Sequence, residues 1–388
     1  MPRLLLTPAL AAAVLLSLAS ALWSPANADP APSAASPAQA ASTLAPMPHF
    51  RFDTTWLKLP ANLYVSEITA VAVDRHDHLW VLHRPRTVKD HDASQVAPPI
   101  MEFDAAGRYL RGFGGPGAGY QWPDVEHSLA VSTNGDVWVS GNSRTEGHGD
   151  DMLLVFDRQG RFVRQIGKRS ASRGNFDTAN FHAPADIFID DRAHEVYVAD
   201  GYGNQRVVVL DERDGRFLRM WGAFGLAPPQ LSAPAQPQSQ PPQPQTQPQA
   251  VDNGEGARSF NGVHAVEKSR DGRLYVSDRL NQRIQVFTPQ GKYLGQVSID
   301  RGLDSPITAS GIAFSRDPGQ TYMYVADWGN GRIVVVDRHR LQVIGVIGHS
   351  GDAPGEFHGP HLIDVDSHGV LYVAEVQGHR VQRLVPEP

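Results

Sequence analysis

VYVADGYGNQRVVVLDERDGRFLRMWG, Val196 to Gly222, is the stretch that decides the fold. It holds an apolar strand (VYVAD), a polar turn, a second alternating strand from Arg206 (RVVVLD), a turn at Gly215 and a further strand (GRFLRMWG). Alternation with period two in short pieces, separated by Gly, Asn and Asp, is the pattern of antiparallel strands. The first phrase recurs as LWVLH from Leu79, VWVSG from Val137, LYVSD from Leu274, MYVAD from Met323 and LYVAE from Leu371. Each copy follows a short apolar stretch and a polar turn such as Asn134-Gly135, Asp271-Gly272 or His368-Gly369, and RIQVF from Arg283, RIVVVD from Arg332 and RVQRL from Arg380 repeat the next strand. Four short strands per unit make a propeller blade and not a βαβ unit. The last two spacings are 49 and 48 residues, and the 78 between Val196 and Leu274 falls to about 49 once a roughly 29-residue insertion is removed.

The expected fold is therefore an all-β, six-bladed β-propeller over residues 49–388. The final unit stops after its third strand, whereas His49 to Leu59 (HFRFDTTWLKL) has no unit of its own. That segment is expected to supply the fourth strand of the last blade, closing the ring and removing the sheet edges. In-phase repeats argue against a β-sandwich.

Outside the repeat, residues 1–28 read as a secretory signal: Arg3, an apolar run from Leu4 to Leu22, then Ala26-Asn27-Ala28 as a cleavage site. The expected location is secreted or periplasmic, with no membrane span after cleavage. Residues 29–48 read as an Ala/Pro-rich tether, and about 227–255 as a disordered Pro/Gln insertion within one repeat. Lying between the third and fourth units, the insertion should emerge at the mouth that carries the site described next, where a proline-rich tether is a candidate for recruiting a protein partner.

The 388 residues carry 35 Lys+Arg against 41 Asp+Glu, a net charge of -6, with the basic residues scattered singly, so nucleic acid is not the expected partner. There is no cysteine, which excludes disulfides, thiolate metal sites and Cys nucleophiles. Any metal must be held by His and oxygen.

In a propeller the innermost strand of each blade lines the axis. Aligned at their first residue, the six inner strands begin with Thr69, His127, Ala185, His264, Ser310 and His361. Histidine falls on alternate blades, about 120° apart around a six-bladed ring. His127, His264 and His361 should then converge at one depth, with small residues leaving room between them. Three neutral imidazoles with an open fourth position form the layout of a catalytic zinc site. No Asp or Glu appears at these aligned positions, unlike the carboxylate-rich axis expected of a calcium-dependent lyase or lactonase. His76, His78, His91, His148 and His194 read as solvated loop residues.

The strand after each inner strand returns to the histidine mouth. Arg84, Asn142, Tyr202, Arg279, Trp328 and Gln377 should gather there. Arginines suit an anionic substrate, since a guanidinium binds a carboxylate through two parallel bonds, and tyrosine near a metal suits a general base. A bracing role for pairs such as Asp278-Arg279 is the structural alternative.

The wording of the repeats (G-x-F, YVAD, N-x-R-hydrophobic-x-V) resembles the NHL-repeat propellers. Along nearly all of the propeller the chain resembles, more specifically, the peptidyl-α-hydroxyglycine α-amidating lyases, the lyase half of peptide C-terminal amidation. The phrases that carry this are LHR ending at Arg84, EHSL containing His127, VADGYGNQR containing Tyr202, VHAV containing His264, SDRLNQRIQVF from Ser277 and GPH ending at His361. The resemblance implies zinc held by His127, His264 and His361, Tyr202 as base, and Arg84 and Arg279 as partners of the substrate carboxylate and transition state. The implied substrate is a small anionic N-acyl or peptide C-terminal α-hydroxyglycine, cleaved at its C–N bond to a primary amide and glyoxylate. Gly359 stands where the family has Met, and Leu362 where it has the Asp that helps hold calcium. Calcium is therefore disfavoured, with only backbone carbonyls at Val71 and Leu129 left to line such a place. The alternative from another class is a non-catalytic NHL propeller that binds a protein or glycan at its mouth.

Overall fold

Six four-stranded antiparallel sheets succeed one another along the chain, each running from an inner strand outward. A computed structural model describes residues 44–53, 55–230, 256–299, 303 and 305–387. The signal read at 1–28, the tether up to residue 43 and the insertion over 231–255 lie outside the described residues. The inner strands are Ile68–Val73, Glu126–Val131, Asp186–Asp190, Val263–Lys268, Ala309–Phe314 and Pro360–Val365. The second strands, including Leu79–His83, Glu195–Asp200 and Leu274–Asp278, are almost wholly buried because both of their faces lie between neighbouring blades. Outer strands such as Tyr109–Phe113 show the mixed burial of a face half open to water.

The core is a ring of apolar layers between successive blades. Trp138, Leu153 and Val155 of the second blade meet Ile187, Val196 and Val208 of the third. Tyr275, Ile284 and Val286 of the fourth meet Ile312, Met323 and Val325 of the fifth. The last layer joins Val370, Tyr372 and Ala374 of the sixth blade to Ile68, Val71 and Val81 of the first.

Closure is as expected: Phe50–Asp53 pairs antiparallel with Arg380–Pro386, Phe50 opposite Pro386 and Asp53 opposite Arg383, and completes the sixth sheet. The strand is shorter than the segment His49 to Leu59. Its end has a packing cause: buried Trp56 leaves the ladder to wedge between blades six and one, against the ring of Tyr372. Residues 44–48, the end of the stretch read as a tether, lie on blade five, with the Tyr322 hydroxyl donating to the Pro46 carbonyl at 2.8 Å. Among the described residues no helix is long and apolar enough to cross a membrane.

The closing strand is held by Phe50 and Phe52, which pack edge-on against Tyr324 and Phe357. Replacing both by Ala should cost about 2–4 kcal/mol in urea unfolding. Leu110→Ala, on an exposed outer-strand position, should stay within about 0.5 kcal/mol.

Candidate metal centre

In blades two, four and six the second residue of the inner strand is histidine, and the three side chains meet at the axis. The three imidazoles are buried, with ring centroids 5.1, 4.7 and 4.9 Å apart. One ligand nitrogen from each lies within 4.8 Å of the others. The intervening blades hold the rings in orientation. His127 Nδ1 lies 2.7 Å from the Ala185 carbonyl, His264 Nδ1 2.7 Å from that of Ser310, and His361 Nδ1 2.5 Å from that of Thr69. A carbonyl only accepts, so every Nδ1 carries the hydrogen and every Nε2 presents its lone pair. The small residues of the odd blades thus do more than leave space, because their backbones set the tautomer.

Burial, and next to it the positive charges nearby, keep the rings neutral. His127 is held well below the usual imidazole range by burial, His361 and Arg84, and His264 by burial, Arg279 and His361. His361 is brought down to about 3 by burial and then Arg279.

The Tyr202 hydroxyl lies 2.9 Å from His127 Nε2 and 3.0 Å from His264 Nε2. A phenol has one hydrogen, so it satisfies one of these lone pairs and leaves the other without a donor. His361 Nε2 has no hydrogen-bond donor among the described residues. Convergent, neutral, donor-poor Nε2 atoms are the chemistry of a metal site, and the donor set fits zinc.

Tyr202 is delivered by a turn built on close approach. A Cβ at Gly201 would collide with the Val263 backbone, next to His264, and one at Gly203 with the His182 ring. Flanking this turn, the buried Arg206 guanidinium donates to Asp200 at 2.8 Å and to the carbonyls of Asn175, Asp177 and Asn180. The same brace recurs one blade on, where it corrects a sequence expectation. Asp278 pairs with Arg283 at 2.7 Å, leaving Arg279 to turn toward the axis. Arg279 Nη1 donates to the Tyr202 oxygen at 3.3 Å, its guanidinium lies 5.5 Å from the Trp328 ring centroid, and its buried Nε has no acceptor.

Five of the six residues expected at this mouth share contacts with its walls. Gln377 and the Trp328 indole nitrogen both flank Gly359, whose backbone has φ +66°. Arg84 reaches the histidine strand of blade two, its Nε donating to the Glu126 carbonyl at 2.9 Å. Its Nη1, however, is paired with Glu67 at 2.8 Å. Asn142 is tied by its backbone N–H to Val125 and joins none of these contacts among the described residues.

Deeper on the axis the inner strands of all six blades enclose a cavity of about 220 Å³, lined by Val71, Leu129 and Leu362 and also by Asp186, Glu267 and Asp364. Carboxylates thus do line the axis, although none stands at the aligned first positions of the inner strands. Inner strands of blades four and six carry register shifts between Val263 and Val266 and between Pro360 and Ile363. These shifts bring the third residue after the histidine to the axis too, a position that alignment at the first residue does not compare. Burial raises Asp186 to about 7, holds Glu267 well above its ordinary value and shifts Asp364 upward. His78 is likewise not a solvated loop residue: it lies 2.8 Å from Glu102, which also pairs with Arg158.

No family model matches the chain. It is 26% identical over 352 residues to NHL repeat-containing protein 3 of Mus musculus, covering 87% of this chain and 85% of that one. It is 21% identical over 347 residues to a probable peptidyl-alpha-hydroxyglycine alpha-amidating lyase of Caenorhabditis elegans, covering 82% and 83%. In fold it is similar to a solved streptogramin B lyase, with a TM-score of 0.51 at 14% identity over 87% of this chain and 98% of that one. The chain is thus an NHL-like six-bladed propeller whose relatives include a probable amidating lyase.

The folded histidines bind protons only far below the unfolded value near 6.5, so between those limits the unfolded chain holds more protons and stability falls as pH falls through about 6.5. For His361 the loss between pH 7 and 5 is about 2 kcal/mol. The stability advantage of metal-free wild type over His361→Gln should shrink by that amount across this range, read from urea unfolding at the two pH values.

Proposed function

We propose that the protein is a metal-dependent lyase that cleaves the C–N bond of an N-acyl or peptidyl α-hydroxyglycine-like carbinolamine to a primary amide and glyoxylate. The observation that carries this reading is the fixed tautomer of all three axial histidines beside Tyr202 and Arg279. His127, His264 and His361 would hold zinc, which when bound supplies Lewis acidity toward a substrate oxygen.

The protein's own groups account for the proton and the charge. Tyr202, set between two histidines, would act as the phenolate, its own hydrogen given up to solvent beforehand, and take the hydroxyl proton of the carbinolamine. The electrons of that O–H bond form the aldehyde carbonyl, the C–N bond breaks, and the nitrogen leaves with the proton as amide, so no oxidant is needed. Arg279 donates to the Tyr202 oxygen and keeps a free Nε donor for an anionic oxygen of the substrate. The Trp328 ring, with its centroid 5.5 Å from that guanidinium, adds a cation–π contact that holds the cation at the mouth.

Calcium has no place in the proposal. Leu362, which lines the axial cavity and packs with Ala70 and Leu129, offers no carboxylate there. Asp186 already accepts from Ser128 and the Val266 N–H, and Asp364 from the Val73 N–H. The run Leu4 to Leu22 with Ala26-Asn27-Ala28 supports a secreted or periplasmic setting.

Metal analysis of protein purified without chelator, beside a glyoxylate-release assay on N-benzoyl-α-hydroxyglycine, tests the reading. We expect about one zinc per chain, most of it lost in His264→Ala, because two imidazoles make a much weaker site than three. Tyr202→Phe should keep zinc and lose at least about 100-fold in turnover. Arg84→Lys should lose rate only partially. Zinc without turnover would keep the site and discard the substrate. Absence of zinc at full supply would leave a propeller that binds a protein or glycan.

A further inference from the structure

The two arginines at the histidine mouth are not equivalent. Arg279 has no carboxylate partner among the described residues and keeps an unused Nε donor. Arg84 spends Nε on the Glu126 carbonyl and Nη1 on the Glu67 carboxylate. Glu67 is bound to this arginine twice, since its backbone carbonyl also accepts the Arg84 N–H at 3.2 Å. It stands one residue before the inner strand of blade one. There its side chain is 31% exposed while that of Arg84 is 16% exposed, so solvent reaches the pair beside the strand that carries His127. Arg86, a further cation nearby, is likewise paired, to Glu126 at 3.2 Å.

We infer that Glu67 is a specificity-determining residue: by neutralising Arg84 it turns that side of the mouth toward substrates bearing an uncharged amide or ester in place of a free carboxylate. The inference rests on the lyase reading and narrows its substrate class: the same C–N bond breaks, and from the favoured substrates the aldehyde product leaves as the amide or ester of glyoxylate. A ligand carboxylate approaching Arg84 must displace Glu67 from Nη1 or lie beside a like charge, and both choices cost affinity. A neutral carbonyl meets no such repulsion. A carboxylate is left with Arg279 alone, which also serves the Tyr202 oxygen.

The test is binding of two unreactive ligands of one shape, hippurate and hippuramide, to zinc-supplied wild type, Glu67→Gln and Glu67→Asp. Wild type should bind the amide at least as tightly as the carboxylate. Glu67→Gln, nearly isosteric and uncharged, should shift the ratio of affinities toward the carboxylate by about tenfold. Glu67→Asp keeps the charge and should leave the ratio within about twofold. Unchanged thermal melting of both variants separates this shift from a folding defect. A wild-type preference for hippurate, or an identical ratio in wild type and Glu67→Gln, overturns the inference while leaving the lyase reading intact. Failure of every protein to bind either ligand, with no glyoxylate released, overturns both.

Discussion

A buried carboxylate–guanidinium bridge at the end of a second strand is the constraint on which the site depends. Asp200 with Arg206 and Asp278 with Arg283 are fully buried pairs, and Asp327 with Arg332 repeats the contact in blade five. Such bridges are poor sources of net stability, because desolvation of both charges offsets their attraction. What they select is geometry. An arginine whose donors all need acceptors folds the surrounding loop until carbonyls meet it, as those of Asn175, Asp177 and Asn180 do around Arg206. The turn between the two bridged residues is then pinned, and in successive blades it carries Tyr202, Arg279 and Trp328 to one mouth.

The inner strands add the second half of the construction. Even blades give imidazoles and odd blades give the carbonyls that orient them, so no blade builds the site by itself. Down the axis the charge changes in order: guanidinium groups at the mouth, neutral imidazoles below, and carboxyl groups that burial shifts toward the protonated form in the cavity beneath. Burial first, and the cations above next to it, lower the proton affinity of the imidazoles and keep their lone pairs available. Cationic, neutral and acidic side chains thereby occupy successive depths of one axis.

The repeat was legible because each blade is local: four strands, their turns and the Asp…Arg brace fall within about fifty residues. The histidines were legible for the same reason, since blade geometry converts a position in the phrase into a depth on the axis. Pairings between different parts of the chain were not. Nothing near Arg84 in sequence announces that Glu67, 17 residues earlier, takes its Nη1. Asp278 lies beside Arg279 in sequence yet binds Arg283, because the strand pairing places that arginine opposite it. Glu267 and Asp364 reach the axis through register shifts that a strict alternation conceals. The closing strand stops at Asp53 because Trp56 has a better place between two blades, a preference that β-propensity does not contain.

The most direct test of the convergent-histidine account is a crystal structure of the zinc-supplied protein, with diffraction recorded on both sides of the zinc absorption edge. The account expects one anomalous peak per chain, about 2.0–2.1 Å from Nε2 of His127, His264 and His361. Each Nδ1 should still rest on the carbonyl of Ala185, Ser310 or Thr69. A peak placed instead among Asp186, Glu267 and Asp364 or at Asp74, His78 and Glu102, or no peak at full zinc supply, would contradict it.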